Sequence, residues 1–289
     1  MPNSPDIMAA REVAKHFGTV HHEYLFSPDE AFAMVPQVVY HLETYEPELI
    51  RSSIPNYFLA KLAGAHTKVV LTGEGADELF AGYLYFRDCP DREAMQRETL
   101  RIWGHLHNVN LQRSDRMGMA HGLEARVPFL DVELLEEAYG RVDPAAKMHT
   151  ATKAEKHALR ALFEGEIPHD VLWRTKAMQC EGVGTDWVSI LQAKCAAAVS
   201  DAEFGAASAT FPLNPPQSKE EFYYRKLFAQ SHAGMDHFVH VWEGGCRAGG
   251  AAWQSAVYTR AGLADTAQLR HAPMDADKEG EDARGEGLR

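Results

Sequence analysis

The chain has 289 residues, of which 45% are hydrophobic and 24% are charged, a balance typical of a globular protein with a sizeable core. Its formal net charge of −12 argues against a nucleic-acid groove as the main function, because binding to a phosphate backbone needs a positive field. No apolar run approaches the ~20 residues that a membrane helix needs. The four cysteines are widely spaced and the N-terminus lacks a secretory pattern, so we expect a reduced, cytoplasmic protein.

The first part of the chain combines helical patterns with one strand-like run. Ser4 followed by Pro5 is typical of a helix start, and apolar residues at helical spacing then lead to Gly18, which is suited to end the helix. Alternating residues next predict a short strand. The expected elements are, in chain order, a helix over 5–17, a strand over 19–26, and helices over 27–43 and 55–63.

Residues 67–72 form a short apolar run that is followed by a glycine-containing turn and a helical pattern. Such a strand–turn–helix unit is typical of a parallel sheet and favours an α/β domain. After it, the sequence predicts mainly helices over 91–198, a proline-containing loop over 199–218 and a further helix over 220–230. The charged, apolar-poor composition of residues 272–289 predicts disorder.

The densest candidate site is the turn at residues 72–78, with the sequence Thr-Gly-Glu-Gly-Ala-Asp-Glu. Ligands of open α/β sheets bind beyond the carboxyl ends of strands, and free amides at a helix start suit phosphate. The acids Glu74, Asp77 and Glu78 are suited to hold Mg²⁺ or a substrate ammonium group. The alternative is a plain tight turn whose acids favour the helix N-terminus.

Basic residues supply further candidates. In the segment 113–131, charged residues alternate with small and apolar residues, a pattern that suits either a buried ion-pair network or an anion site. Lys176 follows Trp173 in a predicted turn, where it can reach a phosphate as a point charge or remain a solvated loop lysine. The basic residues at 153, 156, 157 and 160 share one helical face and are interpreted as a solvent-facing surface.

Taken in order, several segments resemble the C-terminal synthetase domain of the glutamine-hydrolysing asparagine synthetases. The resemblance covers residues 4–230, and its matching words are SPDIMAAREVAKHFGTVHHE, YHLETYEPELIRSSIPNYFL, VVLTGEGADELFAGYLYF, HGLEARVPFLD, TKAEKHALR, LWRTK and FPLNPPQSKEEFYYRKLF. It implies an α/β fold of the ATP-pyrophosphatase (adenine nucleotide α-hydrolase-like) type. In this chain the parallel sheet is expected to be incomplete at its N-terminal edge and to be followed by a mainly helical half.

The resemblance also implies a division of the chain and a reaction. A partial synthetase domain is expected over 1–230, a C-terminal extension over 231–271 and a disordered acidic tail over 272–289. In the family, the β-carboxylate of aspartate attacks the α-phosphate of ATP to give β-aspartyl-AMP and pyrophosphate, and ammonia then displaces AMP. The ammonia comes from glutamine, through a glutaminase domain that is absent from this chain. A homodimer is one possible assembly.

Site roles follow from the same resemblance, position by position. The residues expected to bind ATP are Thr72, Gly73, Gly75 and Arg113. The expected catalytic residues are Glu74, which would support adenylate formation and the attacking ammonia, and Lys176, which would neutralise charge on the transferred phosphorus. Asp77 is expected to hold Mg²⁺ and pyrophosphate.

The chain departs from the family pattern at three places. The pyrophosphate-loop sequence SGGxDS does not occur in it, Asn110 stands where the family has Asp, and residues 179–182 replace the usual Phe-Ser-Asp-Gly. We therefore expect a truncated chain that is inactive alone. The alternatives are a catalytically silent homologue that acts as a binding or assembly partner, and a related amide-forming ligase with another substrate, as in the β-lactam synthetases.

Overall fold

The computed structural model describes residues 4–150, 153–176, 182–184 and 186–239. Its first helices begin at capping residues that satisfy backbone amides: Ser4 Oγ accepts a hydrogen bond from Ile7 N at 3.2 Å, and Ser27 Oγ accepts one from Glu30 N at 3.1 Å. The first three helices are α1 (Pro5–Phe17), α2 (Pro28–Leu42) and α3 (Pro47–Gly64).

Helix α3 begins eight residues before the start that the sequence predicts at residue 55. Glu46 caps it by accepting a hydrogen bond from Leu49 N at 2.9 Å, and Pro47 occupies its first position. Pro55 therefore lies inside the helix and does not start it. The earlier start matters for function, because the additional N-terminal turns of α3 line the cleft described below.

The strand predicted over residues 19–26 is wrong. This segment forms no ladder with another described strand, although its residues alternate as a strand would. Instead the rings of Tyr24 and Phe26 stack on Phe58 of α3, with centroid distances of 5.1 and 4.7 Å. The alternation of apolar and polar residues therefore indicates that one side of this segment packs against α3. It does not indicate that a second strand is present to pair with it.

A small parallel sheet lies next to the predicted turn. Strand β1 (Val69–Leu71) pairs with β2 (Glu124–Arg126), and Thr72 N extends the ladder by donating to Arg126 O at 2.9 Å. Helix α4 (Ala76–Leu79) follows the turn. The α/β prediction is confirmed as far as this two-stranded sheet, within a described chain that is mostly helical. The side chain of Leu71 is 76% exposed, so β1 lacks the burial that its apolar sequence predicts.

Helices predominate in the rest of the described chain, as predicted for residues 91–198. They are α5 (Arg92–His105), α6 (Asn110–Met119), α7 (Val132–Gly140), α8 (Pro144–Lys147), α9 (His157–Ala161), α10 (His169–Leu172), α11 (Trp187–Ala197), α12 (Asp201–Gly205), α13 (Ala207–Thr210) and α14 (Lys219–Ser231). Short 3₁₀ helices occupy Leu84–Asp88, Leu106–Asn108, Pro128–Leu130 and Asp236–Phe238.

Two predictions for the C-terminal part have different outcomes. The helix predicted over 220–230 is confirmed as α14, whereas the loop predicted over 199–218 contains α12 and α13. A capping box between Ser200 and Glu203 starts α12 and outweighs the prolines farther along this segment. The predicted disordered tail, 272–289, lies outside the described residues.

The largest apolar core joins α2, α3, α11 and α14. A buried ion pair crosses it, in which Arg51 Nε of α3 donates to Glu220 Oε1 of α14 at 2.8 Å. Both side chains are nearly inaccessible, and each is satisfied by the other, which avoids the cost of an unpaired buried charge. This core holds α3 in place behind the cleft.

Candidate active site

A cleft of about 270 Å³ opens at the carboxyl end of β1. The turn after β1 contributes Thr72, Gly73, Glu74 and Asp77 to its wall, and Lys176 reaches it from a distant part of the chain. The prediction that this turn follows a parallel strand and opens onto a cleft is therefore confirmed. Helices α3, α5 and α6 provide the remaining walls, through Glu48, Leu49, Ser52, Ile102, Asn110 and Arg113.

The backbone of the turn requires a glycine at position 75. Gly75 has a φ of 97°, in the left-handed region, and an added Cβ would lie 2.6 Å from Leu130 Cδ2. Gly75 is buried beneath the turn and is not part of the cleft wall, whereas Thr72 and Gly73 are. Of the predicted nucleotide-binding residues in the turn, Thr72 and Gly73 thus face the space that a ligand would fill.

Glu74 is held by two donors from α6. Its Oε1 accepts hydrogen bonds from Arg113 Nη2 at 2.6 Å and from Ser114 Oγ at 2.7 Å. Arg113 is only 8% exposed, so the ion pair is largely removed from water. The structure therefore brings together two of the predicted site residues, Glu74 and Arg113, in an ion pair inside the cleft. The catalytic role of Glu74 and the ATP-binding role of Arg113 stay predictions.

Asp77 meets two lysines. Lys176 Nζ lies 3.1 Å from Asp77 Oδ2, and Lys156 Nζ lies 3.0 Å from Oδ1. Burial alone raises the pKa of Asp77, but the charges of Lys176 and Lys156 outweigh it and hold the pKa at about 2. Burial lowers the pKa of Lys176, yet the attraction of Asp77 wins and the pKa is raised. Asp77 and Lys176 are therefore charged near neutral pH.

Glu78 is a buried carboxylate of the cleft that forms no ion pair among the described residues. It is 2% exposed; Tyr83 Oη donates to its Oε1, as does Asn110 Nδ2 at 3.1 Å, while Oε2 has no hydrogen-bond partner. Burial and the nearby charge of Asp77 raise the pKa of Glu78. A buried acceptor without a donor is costly, so this oxygen is suited to receive a donor from a ligand.

Lys156 is a site residue that the sequence interpretation missed. The solvent-facing helical surface predicted for residues 153, 156, 157 and 160 is wrong, because α9 begins only at His157 and Lys156 precedes it with a left-handed φ of 56°. Lys156 consequently points to Asp77, and Arg160 is 8% exposed. The available signal was the segment TKAEKHALR, which the resemblance had already singled out.

The fit of the cleft to Mg²⁺ depends on which carboxylates it offers. The described residues contain no group of three or more acidic, histidine or cysteine side chains arranged to hold a metal ion. Protein sites for Mg²⁺ on nucleotides commonly use one or two carboxylates, with phosphates and water completing the shell. Asp77 fits that requirement because it lies in the cleft wall with Lys176, a phosphate-binding type of residue.

Two other sequence features have clear outcomes. Asn110, which departs from the family's Asp, lies in the cleft and donates to Glu78 and to Tyr83 Oη at 2.9 Å. Residues 179–181, the other departure, lie outside the described residues. None of the described helices has the length and apolar character needed to cross a membrane.

The sequence of the chain is similar to a known protein family and to individual members of it. The asparagine synthase family model matches residues 1–94 and 87–254. The chain is 43% identical over 231 residues to asparagine synthetase B (glutamine-hydrolysing) of Escherichia coli K12. The alignment covers 80% of this chain and 42% of that protein. It is 43% identical over 237 residues to a probable glutamine-hydrolysing asparagine synthetase of Schizosaccharomyces pombe, covering 79% and 42%.

A mammalian relative gives the same result. The glutamine-hydrolysing asparagine synthetase of Bos taurus is 38% identical over 250 residues, covering 84% of this chain and 44% of the relative. The chain thus spans about two fifths of the length of these relatives. Because the family model and these relatives cover most of its residues, the chain belongs to the asparagine synthase family.

Proposed function

We propose that this chain forms the synthetase part of an ATP-dependent asparagine synthetase of the cytoplasm. In this proposal it activates the β-carboxylate of aspartate as β-aspartyl-AMP, and ammonia derived from glutamine completes the amide. The observation that carries the proposal is the meeting of Lys176 with Asp77 at 3.1 Å, beside the Glu74–Arg113 pair, in a cleft at the end of a parallel strand. That position is where ATP-pyrophosphatase-type sheets, like other open α/β sheets, would bind a ligand.

The first step forms a bond between a β-carboxylate oxygen and the α-phosphorus of ATP, and breaks the bond from that phosphorus to pyrophosphate. Negative charge grows on the leaving pyrophosphate and on the oxygens of the transferred group. Lys176 is suited to neutralise this charge, because its ammonium group is already held in the cleft wall by Asp77. When bound, Mg²⁺ would neutralise further phosphate charge, and Asp77 is the carboxylate that would hold it.

The nucleotide itself would lie along the turn. Thr72 and Gly73 border the cleft with a backbone that a ligand can approach closely, since an added Cβ on Gly73 meets nothing within 4 Å. Arg113 is fixed by Glu74 with its Nε lacking a hydrogen-bond partner, and it can therefore still donate to a phosphate or carboxylate. Gly75 acts indirectly in this proposal, by allowing the left-handed turn.

In the second step, ammonia attacks the acyl carbon and AMP leaves with the electron pair of the broken carbon–oxygen bond. The attacking nitrogen must lose a proton. Glu74 is the carboxylate proposed to accept or stabilise it, because Arg113 and Ser114 fix its orientation in the cleft.

Glu78 is proposed to recognise the α-ammonium group of aspartate. It lines the cleft, is buried, and leaves Oε2 without a donor. An ammonium group would satisfy this oxygen and neutralise a charge that burial disfavours. Asn110 places a neutral amide beside Glu78, where the family has the acid Asp. This difference favours a second candidate function, an amide-forming ligase that acts on a different carboxylate substrate.

The proposed function is tested by incubating the protein with ATP, aspartate and ammonium chloride and measuring pyrophosphate and asparagine. Residues 1–289 contain no SGGxDS sequence, so the assay compares the 289-residue chain with a fusion that joins the preceding part of the E. coli relative to Met1. We expect aspartate-dependent pyrophosphate and asparagine from the fusion. Pyrophosphate release that depends on another acid would identify the ligase alternative, and no ATP chemistry in either protein would identify a silent homologue.

A further inference from the structure

The loop that carries Lys176 is fixed from behind by a buried carboxylate. Glu155 is 2% exposed, and its Oε1 accepts a hydrogen bond from the backbone N–H of Lys176 at 2.6 Å. Residues 174–176 belong to no helix or strand, so this bond stands in for the regular hydrogen bonding that such a segment lacks. Glu155 lies outside the cleft wall and touches none of the space that a ligand would fill.

The same oxygen of Glu155 also pairs with Arg160. Arg160 Nη2 lies 2.7 Å from Glu155 Oε1, and its Nη1 donates to the carbonyl oxygens of Leu172 and Arg174, each at 2.8 Å. One guanidinium group thus connects α9, the end of α10 and the irregular segment 174–176. Arg160 is 8% exposed, and its planar fork donates hydrogen bonds to three acceptor oxygens in a region that is largely closed to water.

The second lysine that contacts Asp77 is also close to Glu155 in the chain. Lys156 follows it directly, adopts the left-handed conformation and directs its ammonium group to Asp77 Oδ1 at 3.0 Å. A single buried carboxylate is therefore bonded to the backbone of one Asp77-contacting lysine and is the chain neighbour of the other. Lysine side chains are long and carry substantial rotamer entropy, so a fixed backbone at both positions limits how far either ammonium group can move.

We propose that Glu155 and Arg160 are positioning residues, which hold Lys176 and Lys156 in register with Asp77 so that both ammonium groups face the phosphate region of the cleft. This inference rests on the proposed function for its catalytic consequence, but not for its geometry. Neither residue touches substrate. Their effect is transmitted through the backbone amide of Lys176 and through the chain connection to Lys156.

The direct test measures the reactivity of Lys176 in the 289-residue chain. Acylation with acetic anhydride is followed by mass spectrometry over a range of pH, with exposed Lys61 as the internal reference. Glu155→Gln keeps the shape and one acceptor oxygen but removes the charge that holds Arg160. We expect Lys176 to lose register with Asp77 and to be acylated severalfold faster, because its amine is then no longer held against a carboxylate in the cleft wall.

A matched control separates positioning from a general loss of stability. Glu220→Gln breaks the other buried arginine–glutamate pair, with Arg51, whose side chains are about as inaccessible as those of Glu155 and Arg160. It should destabilise the protein while leaving the acylation rate of Lys176 unchanged. Arg160→Lys is the second test variant, because it keeps the charge but loses the planar fork that bonds Glu155 through one nitrogen and the two carbonyl oxygens through the other, and it should also raise the rate.

Kinetics of the fusion protein supply an independent readout. Misplacing a catalytic group by about 1 Å can cost about 100-fold in rate, so Glu155→Gln should lower kcat by about that factor and change the KM for ATP much less. A fusion that shows no ATP chemistry contradicts the proposed function, while the acylation result still decides the positioning. Unchanged Lys176 acylation in both Glu155→Gln and Arg160→Lys would overturn the inference.

Discussion

The ammonium nitrogen of Lys176 lies 3.1 Å from Oδ2 of Asp77, joining the segment after α10 to the turn after β1. Lys156 completes the arrangement from the residue before α9. Two positive charges thus surround one negative charge, an excess of positive charge at the place where phosphate groups are proposed to bind. Bound phosphate groups would pair with these lysines, and Asp77 would then be the carboxylate available to hold Mg²⁺.

Removal of the Lys176 amine should slow the chemical step strongly. In the fusion protein, Lys176→Ala is expected to raise the barrier of pyrophosphate release by ~3–4 kcal/mol, as the loss of one charge-stabilising donor does elsewhere. Lys194→Ala is the control, because Lys194 pairs with exposed Asp29 on another face of the molecule. A pyrophosphate rate in Lys176→Ala equal to that of Lys194→Ala would refute the role of Lys176.

Acid should remove the stabilisation that Asp77 provides. The pKa of Asp77 is about 2 in the folded protein, below its ordinary value of 3.8. Because the folded value is depressed, the contribution is fully present above the ordinary pKa and is lost as the pH falls through about 2. The shift corresponds to roughly 2 kcal/mol of unfolding free energy.

The measurement for Asp77 is urea unfolding of the wild type and of Asp77→Asn at about pH 6 and about pH 3. The difference in unfolding free energy between the two proteins should be larger at the higher pH, because at about pH 3 the unfolded wild type binds a proton at Asp77 that the folded protein largely does not. A difference that stays constant over this range would show that the ion pairs with Lys156 and Lys176 contribute nothing through the charge of Asp77.

Glu78 should affect aspartate more than ATP. Glu78→Gln removes the charge proposed to bind the substrate ammonium, and hydrogen bonds to charged groups contribute about 1.5–3 kcal/mol, so the KM for aspartate should rise about 10- to 100-fold. Glu98→Gln is a matched control: Glu98 is also buried and accepts from a tyrosine, Tyr85, but it pairs with Arg101. Equal effects on the KM values for aspartate and ATP would contradict the ammonium assignment.

Position 82 should tolerate only glycine. A Cβ on Gly82 would collide with the carboxylate of Asp77, and Ala81 before it already has a positive φ of 54°. Gly82→Ala should therefore displace Asp77 from both lysines, cost about 1–3 kcal/mol of stability and abolish turnover of the fusion. Gly140→Ala, where an added Cβ meets nothing within 4 Å, should be fully active. Full activity of Gly82→Ala would show that the position of Asp77 is not required.

Local signals explain which elements the sequence predicts well. The starts of α1 and α2 depend on Ser4 and Ser27, whose side chains bond to amides three residues on, so a short stretch of sequence contains the whole interaction. The segment 19–26 differs, because its alternation is local but strand pairing needs a second strand. Pairing is a property of distant residues, and the alternating pattern carries no information about them.

The site divides in the same way. The turn at Gly75 is predictable from its own glycines, whereas the placement of Lys176 in the same site as Asp77 was expected only from the resemblance to a family. No local pattern indicates that the two residues meet. The sequence interpretation missed Lys156 because the direction of its side chain depends on where α9 starts. Lys156 precedes the helix in a left-handed conformation, so it does not share the helical face that its spacing suggests.

Oxygen transfer from aspartate to AMP tests the proposed function most directly. Aspartate labelled with ¹⁸O in its β-carboxylate is incubated with ATP, Mg²⁺, ammonium chloride and the fusion protein, and AMP is examined by mass spectrometry. Formation of β-aspartyl-AMP predicts one ¹⁸O atom in AMP for each asparagine, and loss of both products in Lys176→Ala. Asparagine formed with unlabelled AMP, or labelled AMP that persists unchanged in Lys176→Ala, would contradict the proposed role of this cleft.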